Sequence, residues 1–268
     1  MYSVGSEAVT GGGRDWYAHK KTVQCYELIW ERYAAFTMVP PVDYAHTLQL
    51  AAQARGISGC VVQCGVWKGG MAAGLVSILG TERQYFLCDS FEGLPPAREI
   101  DGSNAIEWQS KSNSPDYFDN CSACEHYAEE AMNLAGAKHY RLIKGWFDST
   151  LATLIREEPI AFLHLDADWY DSTTICLSVL FDQVAEGGII ALDDYYVWDG
   201  CSRALHDFLS DRSAVERVRN LGNVCYLIKA RPQSAEEMDH ARTAEKLGGQ
   251  IRAIASRDDT APGDSTPC

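Results

Sequence analysis

The chain has 268 residues, 46% of them hydrophobic, enough to bury a full core as one domain. Its formal net charge is −14 and no basic cluster could follow a phosphate backbone, which argues against nucleic acid and anionic membrane surfaces as partners. No leading basic and apolar pair resembles a signal peptide, and no apolar run approaches the roughly 20 residues that cross a bilayer, so a cytoplasmic protein is expected.

Residues 1–14, with three consecutive glycines at 11–13, read as a mobile lead. Tyr26, Ile29, Tyr33 and Phe36 then recur on one face of a helix expected over Trp16–Phe36. Pro40-Pro41 ends it, and a second helix follows over about Val42–Arg55. The aromatic arm carries more apolar surface than a solvent-facing extension needs, which predicts a homodimer or higher oligomer. Cys60–Val66 predicts a first strand, with a glycine-rich turn and a helix through Leu79 behind it. Gln84–Cys88 predicts the second strand, completing a βαβ unit. Periodicity is then lost from Glu99 to Asn120, and residues 98–126 read as a lid beside any ligand held after strand two.

A helix over Cys124–Ala135 leads to a third strand at His139–Ile143 and a short helix around Ser149–Arg156. Cys121 and Cys124 sit two residues apart, a spacing that suits zinc or redox exchange, but no second such pair exists; two thiols near a helix start is the plainer reading. Ile160–Leu165 predicts strand four. A helix over Ser172–Val184 presents Leu177, Phe181 and Val184 on one face, and Gly187-Gly188 precedes strand five. After a helix near Arg203–Ser210, strands at Ala214–Asn220 and Val224–Lys229 flank Gly222-Asn223 and predict an antiparallel edge hairpin. Ser234–Glu237 offers a capping box for a last helix toward Ala255, before a mobile tail. The expected divisions are an arm at 1–56, a core at 57–232, a helix at 233–256 and a tail at 257–268.

Chemistry concentrates at strand ends. Gln63 to Gly70 leaves strand one as a glycine-rich turn, where Gly65 lets a ligand approach the backbone, and Asp89-Ser90 closes strand two where a carboxylate can take two ribose hydroxyls. That pairing predicts an adenosine-bearing cofactor. The GxGxxG fingerprint is incomplete, the terminal hairpin suits a seven-stranded methyltransferase sheet, and acidic groups suit a sulfonium, so S-adenosylmethionine is favoured over a nicotinamide dinucleotide. Strands four and five run out into Asp166, Asp168, Asp193 and Asp194; helix caps or turns explain one such aspartate and explain four poorly, which points to a metal site. His164, within the apolar run, reads as a packed histidine.

Five stretches then match one known family in order and spacing. They are Gly65–Gly70, Asp89-Ser90-Phe91-Glu92-Gly93-Leu94-Pro95, Gly145-Trp146-Phe147-Asp148-Ser149-Thr150-Leu151, Leu165–Thr173, and Asp193-Asp194-Tyr195 with Trp198, Gly200, Cys201 and Arg203. On these the chain resembles the macrocin O-methyltransferase (TylF) family across roughly residues 40–230. The resemblance implies a doubly wound α/β sheet of class I methyltransferase type, order 3-2-1-4-5-7-6. It implies methyl transfer from S-adenosylmethionine, with Mg²⁺, to a hydroxyl of a sugar in a bacterial secondary metabolite.

By the same resemblance Asp166, Asp193 and Asp194 are metal carboxylates and Asp168 the general base. Gln63, Gly65, Asp89, Ser90, Gly145, Trp146 and Asp166 contact the donor. Gln63 departs from the family's usual glutamate, and Ser202 interrupts its Gly-Cys-Arg pattern. The expected partner is a small glycosylated or phenolic molecule. A catechol or phenol O-methyltransferase and a non-catalytic protein that binds a nucleoside cofactor are the alternatives.

Overall fold

The structure is a computed structural model and describes residues 25–154, 158–212 and 214–231. The expected lead, the final helix and the tail lie outside the described residues. Seven strands form one sheet in the order β3-β2-β1-β4-β5-β7-β6, as expected. They are β1 (Cys60–Cys64), β2 (Gln84–Asp89), β3 (His139–Lys144), β4 (Ile160–Leu165), β5 (Val184–Leu192), β6 (Arg219–Leu221) and β7 (Val224–Ile228). β1 to β5 pair in parallel, and β7 runs antiparallel to both β5 and β6. Every residue of β1 and β4 is buried, which is why both read as unbroken apolar runs rather than alternating ones.

Helices cover both faces. A helix over residues 25–33 (α1), α2 (Pro41–Gln53), α3 (Gly70–Leu79) and α5 (His126–Ala135) are one set; α7 (Tyr170–Leu180) and α8 (Asp199–Asp211) are the other. Alternation along the strands sorts the core into two layers. Val61, Phe162, Ile189 and Ala191 meet Tyr44 and Leu48 of α2 and Leu75 of α3. Val62, Leu163, Ile190 and Leu192 meet Leu177 and Leu180 of α7 and Leu205 of α8. His164 is fully buried as expected, and burial pushes its imidazole down to about 4, which keeps it neutral.

Several boundaries differ from the sequence reading, each for a local reason. The segment expected to be an aperiodic lid contains a helix, α4 (Ser103–Ser110), which buries only Ala105 and so leaves little apolar rhythm to detect. α7 ends at Leu180 and gives way to a 3₁₀ turn, so Val184 belongs to β5 instead of the helix. The glycine pair lies inside that strand at a register shift between Ile160 and Phe162, where a Cβ on Gly188 would stand 2.7 Å from Val184 Cγ1. The short helix expected around Ser149–Arg156 starts earlier, as α6 (Phe147–Thr150). β6 is only three residues long and shares just Arg219 and Asn220 with the longer strand expected there.

Helix α3 packs against α2 through a glycine. Tyr44 Oη donates to the Gly70 carbonyl at 2.8 Å, and a Cβ at Gly74 would fall 2.1 Å from that hydroxyl. Gly74→Ala should therefore destabilise the fold by about 1–3 kcal/mol through overpacking, despite alanine's better helix propensity. Urea denaturation checks this: Gly74→Ala combined with Tyr44→Leu should recover part of the loss, whereas additive losses would mean the two positions do not meet.

Candidate active site

The strand order reverses between β1 and β4, and the crevice beyond their carboxyl ends is where open α/β sheets hold ligands. A cavity of about 700 Å³ opens there. Its walls include every site residue expected from sequence: Gln63, Gly65, Asp89, Ser90, Gly145, Trp146, Asp166, Asp168, Asp193 and Asp194.

On the β1–β2 side the backbone itself forms the cradle. Gly65 has φ +84°, and a Cβ there would stand 1.7 Å from the Asp166 carbonyl oxygen, so only glycine lets the two strand ends approach. Asp89 is committed more deeply than a ribose acceptor needs to be. Its Oδ2 accepts from the amides of Val66 and Trp67 at 2.6 and 2.9 Å, and its Oδ1 from Phe91 at 2.6 Å. This carboxylate clasps the glycine turn to the loop after β2. Ser90 closes a small turn, donating to the Gly93 carbonyl and accepting from the Glu92 amide. Gln63 donates through Nε2 to the Gly65 carbonyl, while its buried Oε1 has no partner. Gly145 ties in by donating its amide to the Asp89 carbonyl, and Trp146 stands beside it, 40% exposed.

On the β4–β5 side the carboxylates crowd. Single oxygens of Asp166, Asp168 and Asp194 lie within 4.8 Å of one another. Asp193 is not in that trio, a difference from the expected set of Asp166, Asp193 and Asp194. Strand pleating explains it. Asp193 continues the β5 ladder by donating its amide to the Leu165 carbonyl, so its side chain follows Ala191 toward α2, where Asp43 repels it, and Asp194 takes the other face. Burial raises all four carboxyls, and repulsion from neighbouring aspartates adds to it at Asp166, Asp168 and Asp193; Asp193 rises to about 8 and Asp194, eased by backbone hydrogen bonds, to about 6.

Asp168 is held on both sides. Its amide donates to Asp194 Oδ2 at 2.9 Å, and its Oδ1 accepts from the Trp198 indole N–H at 2.9 Å. Its φ of +55° places it in a tight turn closed by the Trp169 amide on the Ala167 carbonyl. These groups fit a divalent cation. Opposite ligands of an ion with bonds near 2.1 Å stand about 4.2 Å apart, so the trio needs only slight closure. Asp193 Oδ1, buried without any donor, is a further oxygen suited to a cation.

Other wall residues were not among the site residues expected from sequence. Trp108 of α4 meets Trp169 and Trp198 edge-on at 6.3 and 5.9 Å, forming an aromatic corner over Asp168. Phe118 and Cys121 also line the cavity, at the two ends of four consecutive non-glycine residues with φ between +49° and +60°. Such a run costs roughly 1–2 kcal/mol per residue and needs anchors. Asn120 supplies them: its carbonyl accepts from the Leu94 amide, its Nδ2 donates to the Leu94 carbonyl, and its Oδ1 accepts from Gln109. The signal available beforehand was the aromatic and asparagine content of an otherwise polar loop.

The Asp89 clasp makes a prediction about the ligand-free protein. Asp89→Asn places an amide donor against backbone donors and should cost about 1–3 kcal/mol of stability with no cofactor present. Thermal denaturation of ligand-free wild type and variant decides it. Equal midpoints would leave Asp89 with a ligand-binding role alone.

Comparison with known proteins agrees with this architecture. The model of the family described as Macrocin-O-methyltransferase (TylF) matches residues 30–229. A Streptomyces olivaceus 8-demethyl-8-(2,3-dimethoxy-alpha-L-rhamnosyl)-tetracenomycin-C 4'-O-methyltransferase is 31% identical over 170 residues, 58% of this chain and 59% of that protein. The chain thus spans about three fifths of that relative's length. Demethyldecarbamoylnovobiocin O-methyltransferase of Streptomyces niveus is 26% identical over 218 residues, covering 75% and 72%. Among solved structures the O-methyltransferase NovP superposes with a TM-score of 0.62 at 23% identity, over 73% of this chain and 83% of that one, which shows a shared class I methyltransferase fold. With the matched region containing all seven strands, the chain belongs to the macrocin-O-methyltransferase (TylF) family.

Proposed function

We propose that the protein is an O-methyltransferase that takes a methyl group from S-adenosylmethionine and, with Mg²⁺, delivers it to a hydroxyl on the sugar of a small natural product. The observation that carries this reading is the juxtaposition of two half-sites across one crevice. The Gly65 cradle and Asp89 clasp lie at the ends of β1 and β2, and the Asp166, Asp168 and Asp194 oxygens lie at the ends of β4 and β5. Names of relatives support the acceptor class: one acts on a rhamnosyl tetracenomycin and another is a mycinamicin III 3''-O-methyltransferase.

A sugar hydroxyl is a poor nucleophile until its proton is removed, whereas the sulfonium methyl is already activated. When bound, the ion supplies Lewis-acid stabilisation of the acceptor oxygen as it loses its proton. Asp166 and Asp194 would hold it, and Asp193, whose Oδ1 has no hydrogen-bond partner, would complete the set by turning from the α2 side. Asp168, with one oxygen fixed by Trp198, presents the other to the acceptor proton. Gly65 brings the donor close to the β4 end, so that oxygen, methyl carbon and sulfur can align for in-line transfer. Residues 98–126 cover the site, and Trp108 and Phe118 keep water from competing. No helix among the described residues is long and apolar enough to cross a membrane, which suits a small diffusing acceptor. A phenolic acceptor is the second reading, favoured by the aromatic corner of Trp108, Trp169 and Trp198.

Chelation should abolish methyl transfer and added Mg²⁺ should restore it. Asp166→Asn, Asp193→Asn and Asp194→Asn should each weaken the ion's apparent affinity at least about tenfold, about 1.4 kcal/mol. Asp168→Asn should keep that affinity and lose about 10²- to 10⁴-fold in turnover. The measurement is initial rate against Mg²⁺ concentration. Retention of affinity in Asp193→Asn with its loss in Asp168→Asn would exchange the two roles, and full activity after chelation would refute the metal.

A further inference from the structure

Asp101 is a buried carboxylate outside the cavity. It belongs to the covering segment, at the end of a short 3₁₀ turn over Glu99–Asp101 that precedes α4. It is 2% exposed, deeper than Asp194 at 7%, and is not among the residues that line the cavity. Its Oδ2 accepts from the Arg98 amide at 2.8 Å, which closes its own turn. Its Oδ1 reaches 69 residues along the chain to accept from the Tyr170 amide, also at 2.8 Å.

Tyr170 opens α7, and Gly200 lies in the first turn of α8. A Cβ on Gly200 would stand 2.5 Å from Asp101 Oδ1 and 2.8 Å from the Tyr170 nitrogen, so the cover and the starts of both helices meet at one carboxylate oxygen. Trp169 and Trp198 hold the N-cap positions of α7 and α8, and neither side chain makes a capping bond. Asp101 supplies from the cover the acceptor and the negative charge that the start of α7 lacks. The Trp169 indole donates to the Pro95 carbonyl at 2.9 Å, and Arg98 pairs with Asp171 at 2.5 Å, which fixes the chain before Asp101 along the same helix start.

The two helix starts lead directly to the proposed base. Asp168 precedes Tyr170 by two residues, and Trp198 precedes Gly200 by two. The 2.9 Å bond from the Trp198 indole to Asp168 Oδ1 therefore runs from the start of one helix to the start of the other. The Trp169 and Trp198 rings stand 5.2 Å apart at the same junction. Asp168 has a φ of +55°, a conformation that a non-glycine residue keeps only where its surroundings hold it. Asp101 bonds one helix start and packs against the other, so it sets the spacing across which the indole must reach.

Resting on the methyl-transfer reading above, we propose that Asp101 is a positioning residue: by joining the starts of α7 and α8 it keeps Trp198 in hydrogen-bonding register with Asp168 and so orients the base. Displacing a reacting group by about 1 Å costs up to roughly 10²-fold in rate, which sets the scale of the effect.

The test uses the full chain with ¹⁵N-labelled indoles. Its seven tryptophans give seven indole signals, and Trp198→Phe identifies the one that matters by deleting it. Asp101→Asn and Asp101→Ala, at a temperature where circular dichroism shows them folded, should shift the Trp198 signal upfield and speed exchange of its proton. Arg98→Ala, which removes an exposed ion pair from the same turn, should leave that signal in place. With phenyl α-L-rhamnoside as acceptor, Asp101→Asn should lower turnover about ten- to a hundredfold while S-adenosylhomocysteine and Mg²⁺ titrate as in the wild type. Combined with Trp198→Phe, the two losses should fail to multiply, because both break one bond. An unmoved Trp198 signal, unchanged turnover in Asp101→Asn, or losses that multiply would overturn the inference and leave Asp101 a helix cap alone. If Asp101→Ala does not fold, Asp101→Asn decides, since it keeps one oxygen for the Tyr170 amide. Failure of the methyl-transfer reading is separate: the wild type would then pass labelled methyl to no glycoside or phenol tried, while the Trp198 signal would still respond to Asp101.

Discussion

Four carboxylates crowded at the ends of two adjacent strands are the constraint around which this molecule is arranged. Burial raises all of them and repulsion adds to it at Asp166, Asp168 and Asp193, so the local geometry depends on the donors that hold it. The Asp168 amide donates to Asp194, the Trp198 indole donates to Asp168, and a tight turn at positive φ keeps Asp168 beside its neighbours. Like charges gathered at such expense are a common mark of a functional site, and the proposed divalent ion would convert their repulsion into binding.

The sheet explains how those side chains come to face a cofactor. β1 and β4 are adjacent and fully buried, and their chains leave in opposite directions to β2 and β5, which opens the crevice. Gly65 lets the β1 end close onto the Asp166 backbone, and the three amides on Asp89 fix the loops on that side. The aromatic corner joins the cover to the carboxylates. Trp108 belongs to the covering helix, Trp169 donates to the Pro95 carbonyl, and Trp198 holds Asp168.

Much of this was legible in the sequence because its signals are local. Apolar runs ending in Asp166 or Asp193, glycine after β1, and Gly222-Asn223 between short strands each specify geometry within a few residues. What was missed depends on contacts distant along the chain. Asp89 was read as a ribose acceptor, yet its hydrogen bonds reach back 22 and 23 residues to Trp67 and Val66. Asp193 and Asp194 look equivalent as neighbours, but the pleat sends them to opposite faces, visible only once β5 is placed beside β4 and under α2. Helix α4 escaped notice because it is anchored by polar contacts, such as Gln109 on Pro95 and Asn120, and not by an apolar stripe.

The most direct measurement is an anomalous difference map from crystals grown with Mn²⁺ and S-adenosylhomocysteine. The account predicts one strong peak bonded to carboxylate oxygens of Asp166 and Asp194, beside the thioether sulfur of the bound cofactor. A map with the cofactor in place, no peak in that position, and those aspartates bonded only to protein groups would contradict it.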